Sequence, residues 1–178
     1  MSKGISVVEL MVSVLIMALL AAAVFVNWRP AEETFSLTRS AHQLAGDIRR
    51  VQQLSISTRI FACEDIDADY SGYGFYLNTA SPGQYLIFEN CGCDDRLYTA
   101  AKDELLETQY FEDGVQIQSI KVGSSVSSAS VLFIPPDPKV YINDQISGVE
   151  AVITLELIDD ASQTKEIKIN NGGRIEIN

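Results

Sequence analysis

Three features of the sequence predict an α+β fold in which a long N-terminal α-helix, membrane-spanning in its first half, packs on a C-terminal antiparallel β domain. Residues 10–26 carry a single polar side chain, Ser13. Leu37, Ala41, Leu44, Ile48, Val51 and Ser55 recur at alternating steps of four and three. From about residue 60 the apolar period changes to two. These are the marks of an apolar helix, an amphipathic helix and half-buried strands.

Composition narrows the function classes. The chain has 178 residues, 13 Lys plus Arg against 24 Asp plus Glu, a net charge of −11, and 47% hydrophobic residues. That length supports one domain plus an appendage, with a core that needs no metal to hold it. A disordered polar chain is excluded. His42 is the single histidine, so chemistry that needs two is excluded as well. A pI near 4.4 speaks against nucleic acid as a partner, because phosphate affinity rests on clustered Lys and Arg. The charge is also divided: residues 1–60 carry a net +2 and residues 61–178 a net −13. Two differently built pieces join near residue 60.

The first element is the apolar helix, residues 5–28. Residues 5–27 as a helix would be about 34 Å long at ~1.5 Å per residue, against a hydrocarbon core of about 30 Å. Lys3 and Arg29 flank it and leave its orientation open. Lys3, the apolar run and Ala21-Ala22-Ala23 also fit an export signal cleaved near Ala23. Glu9 argues against that reading, since a carboxylate inside such a run is costly and marks a function. A cut after Gly4 would free the amine of Ile5, with Glu9 one helical turn away on the same face. The two charges could then neutralise each other within one chain or between neighbours.

The second element, residues 29–60, is the amphipathic continuation. Pro30 breaks a helical ladder that runs straight through it, which predicts a kink or unwinding around residues 27–31. Glu32 and Glu33 then fall in a fresh first turn. The stripe from Leu37 to Ser55 is the face expected to pack on the following domain. The third element, residues 61–178, is acidic. Its alternating runs include Tyr73-Phe75-Leu77, Tyr85-Ile87, Val115-Ile117, Val131-Phe133, Val140-Ile142 and Val149 to Leu157. Ile167-Ile169 and Ile175-Ile177 close the chain as a hairpin around Asn170-Asn171-Gly172-Gly173. The stretch from Gly123 to Ser130 reads as a small-residue loop.

The start of the chain, Lys3-Gly4-Ile5-Ser6-Val7-Val8-Glu9-Leu10 before the apolar run, resembles a type IV prepilin cleavage and methylation motif. Such proteins usually carry Phe-Thr-Leu where Ile5-Ser6-Val7 stand here. The resemblance implies that residues 1–4 are a leader cut between Gly4 and Ile5 by a prepilin peptidase, that Ile5 is N-methylated, and that Glu9 registers subunits in a filament. Tyr73-Gly74-Phe75, Tyr85-Leu86-Ile87-Phe88, Phe133-Ile134-Pro135-Pro136 and Gly173-Arg174-Ile175 are similar to stretches of the H-type pseudopilins of type II secretion and related minor pilins. That second resemblance implies a β-sandwich for the acidic domain. Together they imply a structural subunit stored as a single-pass membrane protein and assembled into an extracellular or periplasmic filament. Its partners would be other pilin or pseudopilin subunits, the peptidase, an inner-membrane assembly machinery and membrane lipid.

Two other readings stand beside it. A DNA-uptake minor pilin would present basic residues at the C-terminal hairpin; Arg174 is there, but Glu176 takes the second place. A Sec-exported β-domain protein would begin near Val24.

The remaining candidate sites are few. Cys63, Cys91 and Cys93 form an odd set, and in an exported domain one disulfide from Cys63 to Cys91 or Cys93 is expected. Asp65, Asp67 and Asp69 have the spacing that opens a calcium loop, but Tyr70 and Tyr76 stand where the EF-hand needs Gly and Glu. Asp94, Asp95, Asp103 and Glu104 make a second acidic loop. The expectation is a solvated acidic surface and no cofactor, with calcium between the loops as the alternative; three Cys with no nearby His speak against zinc. No nucleophile, acid–base pair or phosphate loop gives an enzyme reading an anchor.

Overall fold

The structure, a computed structural model, describes residues 6–26, 28–57, 71–91, 95–135 and 139–178. The fold is mainly β. Among the described residues there are ten strands in two five-stranded antiparallel sheets, and two helices, α1 (Val7–Val26) and α2 (Trp28–Ile56).

This corrects the expected fold class, one long N-terminal helix packed on the domain. The helical residues are divided between two helices, and the chain forms two compact units, Met1–Phe35 and Ser36–Asn178. Pro30 lies in the first turn of α2, where its missing N–H breaks no hydrogen bond within that helix.

The expected transmembrane helix and single-pass membrane location are corrected as well. No helix among the described residues is long and apolar enough to cross a membrane.

The first sheet contains β1 (Gly72–Asn78), β2 (Gln84–Asn90), β3 (Glu104–Tyr110), β6 (Ser128–Ile134) and β7 (Lys139–Ile142), in the order β3-β2-β1-β6-β7. The second contains β4 (Val115–Val122), β5 (Ser124–Val126), β8 (Glu150–Leu157), β9 (Thr164–Asn170) and β10 (Ile175–Ile177), in the order β10-β9-β8-β4-β5. Alternation selects the inward face of each strand. In β8, Ala151, Ile153, Leu155 and Leu157 are all buried. In β4, Ile117 and Ile120 are three apart and both buried, because an irregularity in the pairing with β8 falls between Ile117 and Ser119. The small-residue stretch from Gly123 to Ser130 is not a loop throughout: Ser124–Val126 pairs with β4 as an edge strand, and β6 begins at Ser128.

The inward faces of both sheets share one core with α2. Leu37, Ala41, Leu44, Ile48 and Val51 are buried in it, and the Ser55 hydroxyl, also buried, donates to the Phe133 carbonyl at 2.8 Å. The polar flank of α2 then follows the edge strand β3 residue by residue. Arg39 makes two 2.6 Å hydrogen bonds to the Glu112 carboxylate. Ser40 Oγ accepts the Glu112 amide at 3.1 Å, and Gln43 donates to the Tyr110 carbonyl at 3.2 Å. Arg50 bonds both oxygens of Glu107 at 2.9 and 2.6 Å. From Ser40 to Arg50 the helix advances about 15 Å, and from Glu112 back to Glu107 the extended chain covers about 17 Å, so the two stay in step while running in opposite directions.

The Phe111 amide donates to the Gly83 carbonyl, toward β2. By alternation the polar groups of Tyr110 and Glu112 therefore point off the sheet edge, where Ser40 and Gln43 meet them. A helix laid along an edge in this way blunts its capacity to pair with another strand. Inside this contact the Tyr85 hydroxyl donates to Asp47 Oδ2 at 2.5 Å, and Arg50 Nε lies 3.4 Å from Asp47 Oδ1.

The opposite face of the first sheet carries a second, smaller apolar cluster: Phe88, Leu132, Ile134 and Tyr141. Residues 95–103 strap across it. Tyr98 places its ring 5.0 Å from Phe88 and 4.9 Å from Tyr76, and Arg96 lies 4.4 Å over the Tyr141 ring. Gly74 is required beneath the Phe88 ring, since a Cβ there would meet it at 2.8 Å and the Val131 carbonyl oxygen at 2.7 Å.

Candidate functional site

The feature that calls for a functional explanation is α1. Its sequence is apolar on every side rather than along one stripe, so its burial demand cannot be met by a single flat contact. Val7, Val8, Leu10, Met11, Val12, Val14, Leu15, Ile16, Met17, Leu19 and Leu20 are all exposed, from 50% at Val12 to 74% at Val7. On the order of 10 kcal/mol or more is available from covering such a surface, at 1.5–3 kcal/mol per large side chain fully buried.

Glu9 stands in the first turn of this helix, where the exposed amides favour negative charge. The turn is closed by the Leu10 amide bonding the Ser6 carbonyl at 3.1 Å. Ser13, the polar residue within the run, turns its hydroxyl back onto the Glu9 carbonyl at 2.8 Å. It satisfies itself within the helix and does not engage the Glu9 carboxylate. Among the described residues that carboxylate has neither a hydrogen-bonding nor an ionic partner, and it is exposed. Gly4 and Ile5, the expected cleavage and methylation positions, lie outside the described residues.

The other expected sites divide in the same way. Cys91 is disulfide-bonded. Cys63 and Cys93, the other two cysteines of the chain, lie outside the described residues, as do Asp65, Asp67, Asp69 and Asp94. No group of three or more His, Cys, Asp or Glu able to hold a metal occurs among the described residues.

In the second acidic loop, Asp103 has a structural role. Its Oδ1 accepts the Cys91 amide at 3.1 Å and its Oδ2 the Thr99 amide at 2.6 Å, closing the strap on itself. Asp95 Oδ1 accepts the Leu97 amide at 3.3 Å. Glu104 is exposed at the start of β3.

Electrostatics concentrate where α2 meets β2 and β3. Hydrogen bonds from Arg50 hold the Glu107 carboxyl below its ordinary value, and those from Arg39 do the same for Glu112. Burial, reinforced by the hydrogen bond to Asp47, pushes the Tyr85 phenol far above 10. These pairings join residues up to 73 apart, so no local pattern in the sequence announces them. The chain matches no family model, no curated protein and no solved structure.

Proposed function

We propose that this chain is the structural subunit of a pilin-like filament, assembled through α1 after removal of residues 1–4. The observation that carries the reading is a helix exposing apolar side chains on all its sides, with one carboxylate in its first turn. A helix of this kind is stable when neighbours surround it. In a filament those neighbours are the same helix from other copies, and repetition by a fixed rotation and rise covers every side. Glu9 supplies the register. Covered by apolar neighbours, its charge demands a cation, and by helical spacing an amine freed at Ile5 would fall one turn from Glu9 on the same face. Pairing the carboxylate of one subunit with the amine of the next fixes the axial offset between helices. The leader motif at Lys3-Gly4-Ile5 supports the cleavage step, with a prepilin peptidase as the partner that performs it.

The test is Glu9→Ala expressed beside the wild-type chain in the native host. The variant is expected to be cut to a mature chain beginning at Ile5 and to be depleted from sheared filaments at least about tenfold, the scale of one lost buried charge pairing. Normal incorporation would overturn the reading, and so would a wild-type chain whose mature N-terminus is not Ile5.

A further inference from the structure

The solvent face of α2 is a second contact surface, on which Arg39 is already paired with Glu112 of its own chain. Within Ser36–Ile56 the positions most open to solvent are Arg39, His42, Gly46, Arg49, Gln53 and Ile56. They follow helical spacing and make one continuous stripe. The charged residues on it are all basic, in a chain of net charge −11. The acidic residue of this stretch, Asp47, is turned toward Tyr85 instead. Among the described residues Arg49 pairs with no carboxylate. At the middle of the stripe stands Gly46, where a Cβ would meet no atom within 4 Å. A helix interior is a poor place for Gly, and an exposed one between basic residues lets another surface come close to the backbone.

The complementary surface is on the same chain, at the start of β3. Glu104, Leu105 and Leu106 are exposed there, the two leucines at 45% and 40%. The pairing of β2 with β3 shifts between Ile87, opposite Glu107, and Phe88, opposite Leu105, which leaves Leu106 as an extra, unpaired residue. Such a bulge interrupts the ladder and re-aims side chains at a sheet edge. Two adjacent leucines beside a carboxylate on an edge strand form an apolar contact with an acidic rim. The stripe on α2 offers the matching basic charge, with Gln53 and the apolar Ile56 at its end.

We propose that the basic stripe of α2 seats on the Glu104–Leu106 bulge of a second copy of this chain. Arg49 faces Glu104, and Gly46 admits Leu105 or Leu106 against the helix backbone. This rests on the filament reading and supplies the contact between the β units that accompanies the α1 contact. The partner is a second copy because both halves of the complementarity, in charge and in shape, occur on this one chain.

The experiment measures self-association of the full chain by sedimentation, in a non-ionic detergent that covers α1. Association seen there reports the β units and not the N-terminal helix, so its outcome is independent of the Glu9→Ala assembly test. Arg49→Glu and Glu104→Lys are each expected to raise the dissociation constant about tenfold or more, and the double variant to recover to near wild type. Raising salt from about 0.05 to 0.5 M is expected to weaken the wild type and not Arg49→Glu. Gly46→Trp, which has room on its own chain, is expected to abolish association while leaving the thermal melt in place. A wild-type chain that stays monomeric to about 1 mM would overturn the proposal. So would single reversals that associate normally, a double variant that does not recover, or a Gly46→Trp variant that still associates.

Discussion

Replacing Tyr85 by Phe removes one hydroxyl from a site where the structure leaves it one principal use. The side chain is 1% exposed, and its hydroxyl donates to Asp47 Oδ2 at 2.5 Å, tying α2 to β2. A hydrogen bond to a charged acceptor contributes about 1.5–3 kcal/mol. Here the loss belongs at the lower end, because the Asp47 side chain retains 20% exposure and its contact with Arg50. The expected cost is therefore about 1.5–2 kcal/mol, and the urea midpoint should fall by about 1 M for a typical slope of 1–3 kcal/mol per M.

The same bond predicts a signature in alkali. The buried phenol resists ionisation in the fold, held above its ordinary value of 10.0 by burial and by Asp47. Its contribution is complete below pH 10 and is lost as the pH rises further, because the unfolded chain ionises first. Urea unfolding of wild type and Tyr85→Phe at pH 7, 9.5 and 10.5 tests both parts. The gap between the two should narrow above pH 10. A cost below about 0.5 kcal/mol, the range of changes with no structural consequence, or a gap constant across that range would refute the reasoning.

Three further changes follow from the packing and the charges. Gly74→Ala should cost about 1–3 kcal/mol by overpacking, since its Cβ would enter the space of the Phe88 ring and the Val131 carbonyl; a thermal melt as high as wild type would show that the sheet yields there. Ile153→Ala, at a fully buried position of β8, should cost about 2–5 kcal/mol, read as a lower urea midpoint at unchanged slope. For acid, Glu107 and Glu112 are held below the ordinary carboxyl value of 4.5. Their contribution is present above that value and is lost as pH falls through the lowered ones. Arg39→Ala/Arg50→Ala should therefore flatten the loss of stability between about pH 4.5 and 3, as read from urea midpoints across that range. Both pairs are substantially exposed, so the effect should also shrink in high salt.

Much of the framework was legible because it rests on short-range patterns. The apolar run of α1, the stripe from Leu37 to Ser55 and the alternation in β8 each need one residue to be compared only with neighbours a few places away. The Asn170–Gly173 turn marked the hairpin of β9 and β10 for the same reason, since its residue types suit a tight reversal. The placement of Glu9 in an apolar helix is likewise a property of local sequence, and it carries the functional proposal. What local pattern overstated was the reach of the N-terminal helix: the apolar run reads as a membrane-spanning segment, and no helix among the described residues is long and apolar enough to cross a membrane.

Tertiary structure alone decided the features that depend on partners distant in the chain. β3 shows no alternation because it is an edge strand, with a bulge at Leu106 and with α2 along its side. Its Glu-Leu-Leu-Glu-Thr-Gln-Tyr sequence therefore reads as a loop until β2 is placed beside it. β5 is three residues long and gains its strand character only from pairing with β4. The same holds for Arg39 with Glu112, Arg50 with Glu107 and Asp47 with Tyr85, whose energies arise from closing long separations that the fold, not the local chain, brings together. A residue's propensity and periodicity are encoded along the chain. The partner that satisfies its charge or covers its edge exists only once the two sheets and α2 have enclosed a common core.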